Sequence, residues 1–264
     1  MNYLEAAILG LLQGLTEFLP VSSSGHLVIA QFFLGVKQPG VTFEVMVHFG
    51  TLMSIIWVFR KDLLELLGGF ISKSEQKKLL LLLIMGTIPT GLMGILFKPF
   101  FTQLFDKPFV AGIMLFITGF IVLAITRVKI MNKGVENIGI KDAVIIGIFQ
   151  GIAIIPGITR SGTTILGALW RGLNKDTAIK YSFFLALPAI AGATLLEIKD
   201  LLKIGENAEF LGPNILATFI AFISGVFAIT VFVNLLKKGK FYYIAYYCWA
   251  IGVLTVTASI YSVF

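Results

Sequence analysis

Long runs without a charged residue are the feature that most restricts how this chain can fold. No Asp, Glu, Lys or Arg occurs in residues 79–97, 108–126, 210–236 and 241–264, and each of these runs has at least 19 residues. Each is long enough for an α-helix to cross about 30 Å of hydrocarbon. A fifth apolar run, 39–59, is interrupted only by Glu44, and a sixth, 181–196, extends backwards across Lys180. The sequence therefore predicts an all-α polytopic membrane protein with six transmembrane helices.

The composition of the 264 residues agrees with a membrane location. Hydrophobic residues make up 57% and charged residues only 13%, and the mean hydropathy is +0.94. Such a chain has too few polar side chains to cover a water-facing globule of this size. These values exclude a soluble enzyme, a disordered chain and a nucleic-acid-binding protein. The single cysteine, Cys248, excludes an internal disulfide.

Two further apolar regions are interrupted in the middle. Residues 4–36 contain Pro20-Val-Ser-Ser-Ser-Gly25, and residues 143–170 contain Pro156-Gly-Ile-Thr-Arg-Ser-Gly162. Irregular backbone at membrane depth is tolerated only where protein or a wet cavity covers it. Two half-length helices around a polar break are more typical of a re-entrant hairpin than of a span. The sequence therefore predicts two re-entrant helical hairpins in addition to the six spans.

The two broken regions are related to each other. A shift of 137 positions aligns residues 8–29 with residues 145–166 without a gap, and six of the 22 pairs are identical. The identical pairs are Ile8/Ile145, Gly10/Gly147, Gln13/Gln150, Gly14/Gly151, Ser24/Ser161 and Gly25/Gly162. Because three predicted spans separate the hairpins, the second hairpin starts from the opposite face. We therefore predict a single membrane domain, 1–264, with two inverted repeats at about 1–130 and about 138–264.

The basic residues of the loops predict the orientation in the membrane. Loops on one side of the predicted spans contain 15 Lys and Arg, and loops on the other side contain 5. Cytoplasmic loops are enriched in Lys and Arg, so the first set is expected in the cytoplasm and both termini outside. The first hairpin then enters from outside and the second from the cytoplasm. Their polar tips are expected to meet near the bilayer midplane.

Charged residues at membrane depth mark a candidate site, because burying a charge in lipid is costly. Only Glu17, Glu44 and Arg160 lie at that depth in the predicted arrangement. Gln13 and Glu17 are four residues apart and share one helix face, where their oxygens suit a hard divalent cation. One carboxylate and one amide form a weak site alone, so substrate phosphates are expected to complete it. The alternative is that Glu17 caps a neighbouring helix or pairs with Arg160.

The first polar break combines hydroxyl groups with an imidazole. Ser22, Ser23, Ser24 and His26 lie just before a new helix, and the N–H groups and dipole at a helix N-terminus suit a phosphate. N-capping by serine is the alternative explanation. It does not account for three consecutive serines followed by a histidine.

The second polar break repeats this design with an arginine in place of a serine. It contains Thr159, Arg160, Ser161 and Thr164. A guanidinium group matches phosphate geometry bidentately and keeps its charge when it is desolvated. The alternative role of Arg160 is a structural ion pair with Glu17, and the two roles are compatible.

Glu44 and His48 are also four residues apart on one helix face. We expect them to support the site or the structure rather than to form the primary site, since histidine serves metals, proton transfer and packing alike. The complete set suits an anionic phosphate with an apolar tail. Arg160 and a cation would neutralise charge, His26 would transfer a proton, and a serine or water would attack.

Both motifs resemble the signatures of a known family. Gln13-Gly-Leu-Thr-Glu17-Phe-Leu-Pro-Val-Ser-Ser-Ser-Gly-His26 is similar to the first signature of the bacterial undecaprenyl-diphosphatases, the bacitracin-resistance protein family, and Pro156-Gly-Ile-Thr-Arg160-Ser-Gly-Thr-Thr164 is similar to the second. The resemblance covers essentially the whole chain. It implies a plasma-membrane hydrolase that removes one phosphate from undecaprenyl diphosphate, recycles the carrier lipid for peptidoglycan and other cell-wall polymers, and confers bacitracin resistance. It also implies an active cavity open to the outer face.

The resemblance further implies roles for single residues and a requirement for a divalent cation, Mg²⁺ or Ca²⁺. The residues expected to be catalytic are Glu17, Ser23, His26 and Arg160. The residues expected to contact the phosphates are Gln13, Ser22, Ser24, Thr159, Ser161 and Thr164, and those expected to hold the cation are Glu17 and Gln13. Position 13 is Gln where many members have Glu, which weakens metal binding by charge there. Position 159 is Thr where Ser is usual, a change that retains the hydroxyl.

Two other activities use residues of the same types. The Ser-Gly-His triplet is shared with phosphatidic-acid-type phosphatases, but those need a second histidine, and no histidine follows His48. A transporter or flippase of the phosphorylated polyprenyl carrier is the open alternative, because inverted repeats with broken helices are typical of transporters. The residues leave open whether a serine, His26 or water is the nucleophile. The expected partners are the lipid substrate and membrane lipids, with a homodimer left open and no nucleic acid.

Overall fold

A computed structural model describes residues 1–36, 42–72, 74–129, 131–204, 208–238 and 241–261. Within these ranges the regular structure is helical, and no β-strand occurs. The α-helices are α1 Tyr3–Glu17, α2 Ser23–Leu34, α3 Thr42–Val58, α4 Arg60–Ser72, α5 Ser74–Leu96, α6 Lys98–Phe105, α7 Pro108–Arg127, α8 Ile140–Ile152, α9 Arg160–Trp170, α10 Lys175–Ile204, α11 Ala208–Lys238 and α12 Tyr242–Tyr261. A short 3-10 helix covers Val135–Asn137.

Five of the described helices are long and apolar enough to cross a membrane. They contain the candidate spans Glu75–Leu96, Pro108–Arg127, Lys175–Leu196, Leu211–Val231 and Tyr242–Tyr261. A sixth candidate is the pair Phe43–Val58 and Arg60–Gly69, which is bent by 76°. The prediction of a multi-pass, all-helical membrane protein is therefore confirmed, with five or six spans. The predicted span 39–59 begins in residues 37–41, which lie outside the described residues.

Two helices form where the sequence indicated only charged loops. The first, α4, follows α3 directly and packs against α5. Its leucines Leu63, Leu66 and Leu67 have helical spacing. This periodicity indicates a helix, but the charged residues of the segment led to the prediction of a loop. The second, α6, has a proline in its first turn, where the missing N–H group has no cost.

The two broken regions are pairs of short helices joined by irregular loops. The first helix pair is α1 with α2, joined by residues 18–22, and the second is α8 with α9, joined by residues 153–159. Asn2 and Glu5 form a capping box that starts α1. Left-handed backbone breaks each loop, at Ser22 with φ of 65° and at Gly157 with φ of 97°. A non-glycine residue in this region is strained, and such residues cluster at functional sites.

Close backbone contacts fix the helix pairs against the spans. Helix α1 packs on α11 and α8 packs on α5, while α7 packs on α12 and α3 on α10. A Cβ atom built on Gly10 would lie 2.4 Å from the carbonyl oxygen of Ala217, and one on Gly147 would lie 1.9 Å from that of Gly86. Small residues at these crossings allow the backbones to approach, as is common between membrane helices.

A buried carboxylate ties the start of α8 to the turn after α9. Asp142 accepts hydrogen bonds from Arg171 Nε over 2.8 Å, from the Gly139 N–H group over 2.9 Å and from Lys133 Nζ. Burial raises the pKa of Asp142, but the hydrogen bonds from Lys133, Gly139 and Arg171 outweigh burial, so the pKa lies below its ordinary value. This cluster holds the two ends of the second helix pair together.

Candidate active site

The loops of the two helix pairs touch each other. Ser161 Oγ donates to the Leu19 carbonyl oxygen over 3.2 Å. A Cβ atom built on Gly25 would lie 2.8 Å from the Cα atom of Gly157, and one on Gly162 would lie 3.2 Å from Pro20 Cβ. The N-terminus of each second helix therefore packs against the loop of the other pair, and the two polar motifs form one site.

Side chains from two spans hold these loops in place. Thr118, on α7, donates to the Gly157 carbonyl over 2.6 Å and accepts from the Thr159 N–H group over 3.1 Å. Cys248, on α12, donates from its thiol to the Pro20 carbonyl over 3.9 Å. Buried backbone groups without such partners would be costly. No motif marked Thr118 or Cys248 in the sequence, because their partners lie far away along the chain.

Glu17 is the centre of the site. Its carboxylate is buried at the end of α1 and accepts from Arg160 Nη2 over 2.5 Å, from Ser23 Oγ over 2.5 Å and from Gln13 Nε2 over 2.9 Å. His48 Nε2 lies 3.4 Å from Glu17 Oε2. The structure thus brings Gln13, Ser23, Arg160 and His48 together around one carboxylate. A hydroxyl hydrogen-bonded to a carboxylate is the arrangement of a nucleophile beside a general base.

Two buried atoms beside Glu17 have no hydrogen-bond partner among the described residues. They are Gln13 Oε1, an acceptor, and Arg160 Nη1, a donor. Unsatisfied buried polar atoms are rare in folded proteins and are costly unless a ligand or water satisfies them. A free guanidinium N–H next to a free amide oxygen suits a phosphate oxygen and a cation, respectively.

The donor set is also what decides whether a divalent cation fits. Gln13 Oε1 and the Glu17 carboxylate are the hard oxygen ligands that Mg²⁺ and Ca²⁺ prefer. Among the described residues no group of three or more His, Cys, Asp or Glu side chains could hold a metal. The pair therefore fits a cation whose remaining ligands come from water and from substrate phosphates.

The remaining hydroxyls of the two motifs stabilise the helix starts. Ser22 Oγ accepts from the Gly25 N–H group and lies 3.3 Å from Ser24 Oγ. Thr159 Oγ1 accepts from the Gly162 N–H group and lies 3.3 Å from Ser161 Oγ. N-capping, the alternative considered from the sequence, is therefore present in both motifs.

The structure places two other predicted residues outside direct contact with Glu17. Thr164 is buried against α10, where its hydroxyl lies 2.5 Å from Ser182 Oγ. Glu44 accepts from Gln31 Nε2 over 3.1 Å, and its Oε2 atom is buried without a partner in the described part of the chain. Its link to the site runs through its backbone, because His48 Nδ1 donates to the Glu44 carbonyl over 2.6 Å.

His26 is bound to a residue that the sequence did not single out for the site. Its Nδ1 atom lies 2.8 Å from the Ser22 carbonyl oxygen, and its Nε2 atom lies 2.8 Å from the hydroxyl of Tyr247. Tyr247 belongs to the aromatic cluster at the start of α12, which has the composition of an interfacial belt. Because its composition indicated only such a belt, the contact of Tyr247 with His26, 221 positions away, was not predicted from the sequence.

Comparison with known proteins identifies the family of the chain. The family described as "Bacitracin resistance protein BacA" matches residues 6–254. Undecaprenyl-diphosphatases from Alkaliphilus metalliredigens, Halothermothrix orenii and Carboxydothermus hydrogenoformans are 41%, 42% and 44% identical to the chain. These alignments cover 98%, 97% and 96% of the chain and 100%, 98% and 96% of the relatives, respectively. The chain therefore belongs to the bacitracin resistance protein family.

Proposed function

We propose that this chain hydrolyses undecaprenyl diphosphate to undecaprenyl phosphate and inorganic phosphate. The observation that carries the proposal is the 2.5 Å hydrogen bond from Ser23 Oγ to Glu17 Oε2, beside the unpartnered Nη1 atom of Arg160. A nucleophile beside its base and a free cationic donor are two of the features that catalyse phosphoryl transfer. The names of the relatives supply the substrate.

Ser23 is the nucleophile that this arrangement favours. Glu17 takes the hydroxyl proton as the Ser23 oxygen attacks the terminal phosphorus, and the bridging P–O bond breaks to release undecaprenyl phosphate. Water then cleaves the phosphoserine and releases inorganic phosphate. Arg160 donates from Nη1 to the phosphoryl oxygens while its Nη2 atom holds Glu17 in place. His26 is fixed to the Ser22 carbonyl through Nδ1, and its proton transfer would use Nε2, the nitrogen that contacts the Tyr247 hydroxyl.

Gln13 and Glu17 are the residues that would hold a divalent cation, Mg²⁺ or Ca²⁺. When bound, it would neutralise charge on the diphosphate oxygens. Gln13 contributes a neutral oxygen, so the charge that attracts the cation comes from Glu17 and from the substrate. The amide N–H group of Gln13 meanwhile orients the Glu17 carboxylate.

Helices of each half of the chain pack on helices of the other half in equivalent pairs, and this supports two inverted repeats with re-entrant hairpins. Under the 137-residue shift α1 corresponds to α8, and α1 packs on α11 as α8 packs on α5. Gly10 and Gly147 make the equivalent close approaches. The hydroxyl pairs Ser22/Ser24 and Thr159/Ser161 are each separated by 3.3 Å. The repeats differ where the chemistry lies: Glu17, Ser23 and His26 correspond to Ile154, Arg160 and Thr163.

The proposed setting is the bacterial plasma membrane, with both termini and the opening of the site on the outer side. The loop charges support this orientation. There the reaction would recycle the carrier lipid for peptidoglycan and other cell-wall polymers, and would confer bacitracin resistance, as the family description indicates.

The direct test is release of inorganic phosphate from undecaprenyl diphosphate by the purified protein in detergent, with EDTA and after addition of Mg²⁺ or Ca²⁺. We expect release that EDTA abolishes and either cation restores. Ser23→Ala is expected to be inactive, whereas Ser259→Ala, which removes a hydroxyl bonded within α12, is expected to stay active. If the wild type releases no phosphate with either cation, the proposed hydrolysis is wrong.

The exchanged packing also favours one second candidate, a transporter of the phosphorylated polyprenyl carrier. Repeats that exchange contacts around a central site allow that site to open to either side. Transport needs neither the Ser23–Glu17 pair nor a proton donor. Movement of the lipid across vesicles by Ser23→Ala, which is expected to lack hydrolysis, would support this second function.

A further inference from the structure

His26 has a well-defined environment that the proposed reaction does not explain. Hydrogen bonds of 2.8 Å engage both of its nitrogens, one to the Ser22 carbonyl and one to the Tyr247 hydroxyl. The rings of His26 and Tyr247 are stacked, with centroids 5.6 Å apart and planes 7° apart. His26 is 6% exposed, whereas Tyr247 is 44% exposed. The imidazole is therefore held at both nitrogens, and the tyrosine ring lies parallel to it.

These partners select one tautomer of His26. A carbonyl oxygen only accepts hydrogen bonds, so Nδ1 carries the hydrogen. In the neutral ring Nε2 then has the lone pair, and the Tyr247 hydroxyl donates to it. Tyr247 is the partner of Nε2 among the described residues, so without its hydroxyl the ring would be anchored there through Nδ1 alone.

The backbone around Tyr247 is itself fixed against the first helix pair. The next residue, Cys248, donates its thiol to the Pro20 carbonyl in the loop between α1 and α2. Helix α12 is held along its length by α7. Tyr247 therefore reaches His26 from a rigid support, and its position does not depend on α2.

We propose that Tyr247 is a positioning residue for His26. The Ser22 carbonyl keeps His26 in the Nδ1–H tautomer, and the Tyr247 hydroxyl, hydrogen-bonded to the accepting Nε2 atom, holds the imidazole ring in its orientation. The effect on turnover rests on the proposed function, whereas the hydrogen bond itself does not.

The first test observes the imidazole without any activity. The chain contains two histidines, so ¹⁵N-histidine labelling of the protein in detergent gives two imidazoles, which a His48→Gln variant assigns. Tyr247→Phe, which retains the ring but loses the hydroxyl, is expected to shift the Nε2 resonance of His26 and leave His48 unchanged. Tyr246→Phe makes the same change one residue away on α12 and is expected to shift neither. An unchanged His26 resonance in Tyr247→Phe would overturn the proposal.

The second test is steady-state phosphate release. Tyr247→Phe is expected to lower kcat about tenfold, the value of one hydrogen bond, and to change KM less than about twofold. Tyr246→Phe is expected to match the wild type. If Tyr247→Phe shifts the His26 resonance but leaves kcat unchanged, the positioning role is overturned. If the wild type releases no phosphate at all, the proposed function fails, and the resonance of His26 still decides whether Tyr247 positions it.

Discussion

Arg160 donates from Nη2 to Oε1 of Glu17 over 2.5 Å and so joins two residues that are 143 positions apart. Glu17 ends α1 and Arg160 begins α9, so the ion pair links the two helix pairs where their loops touch. Burying either charge alone at this site would be costly, whereas in the ion pair each residue keeps its charge beside the opposite one. Because Nη1 of Arg160 remains without a partner among the described atoms, the same guanidinium is able to bind a phosphate.

The fork of the Arg160 side chain therefore matters as well as its charge. Arg160→Ala is expected to lower kcat/KM by about 10²-fold or more, and Arg160→Lys to recover only a part of that loss, because an ammonium group cannot hold Glu17 and a phosphate in one plane. Phosphate release measures both. Arg60→Lys, at an exposed arginine bonded to a backbone carbonyl, is the matched control and is expected to be unaffected. Full activity of Arg160→Lys would show that only the charge is needed.

Substitutions at Gln13 test the site of the cation. Gln13→Glu adds a charged ligand beside Glu17 and is expected to lower the Mg²⁺ concentration needed for half-maximal phosphate release. Gln13→Leu removes the unpartnered Oε1 atom and is expected to raise that concentration about tenfold. Titration of Mg²⁺ into EDTA-treated protein measures both changes. The same Mg²⁺ requirement in all three proteins would exclude Gln13 as a ligand.

Gly157 is expected to be essential for the contact between the loops. Its φ is 97°, and a Cβ atom there would lie 2.4 Å from the Ala111 carbonyl oxygen, so Gly157→Ala is expected to cost about 2 kcal/mol of unfolding free energy or more. Thermal unfolding in detergent measures this loss. Gly91→Ala, inside α5 with open space around the new Cβ beyond its own helix backbone and chain neighbours, is expected to be neutral or slightly stabilising. Equal melting temperatures for the two variants would contradict the close approach.

The Asp142 cluster predicts a dependence of stability on pH. Because the pKa of Asp142 is lowered in the folded state, its contribution is present above the ordinary value of 3.8 and is lost as the pH falls through the folded-state pKa below 3.8. At neutral pH, Asp142→Asn is expected to cost about 2 kcal/mol. The difference in Tm between wild type and variant is expected to shrink below pH 3.8. Asp176→Asn, at an exposed aspartate of α10, is expected to change Tm little. A difference that stays constant down to pH 3 would rule out the Asp142 pairing.

The Glu17–Arg160 contact was accessible from the sequence because charges at membrane depth are rare. Only three charged residues are predicted at that depth, so an ion pair between Glu17 and Arg160 and a phosphate site at Arg160 were both predicted. The structure contains the ion pair. Four of the five long spans were accessible from their long uncharged runs, and the fifth, Lys175–Leu196, from the shorter uncharged run 181–196.

The environment of His26 and the helix α4 were not accessible in this way. Tyr247 is one of four tyrosines between positions 242 and 247, and hydropathy does not distinguish the one that contacts His26 from the other three. Arg60, Lys61 and Asp62 at the start of α4 indicated a loop, although the leucines that follow have helical spacing. In both cases packing against another helix, rather than local sequence, determines the outcome.

Phosphate release by Glu17→Gln tests the central claim most directly, because Glu17 is the common partner of Ser23, Arg160 and Gln13. Glu5→Gln makes the same change on the exposed side of α1, where glutamine also completes a capping box, and serves as the control. With undecaprenyl diphosphate and Mg²⁺, we expect the wild type and Glu5→Gln to release phosphate at equal rates and Glu17→Gln to release it at least about 10²-fold more slowly while remaining folded. Equal rates in all three proteins would contradict the account.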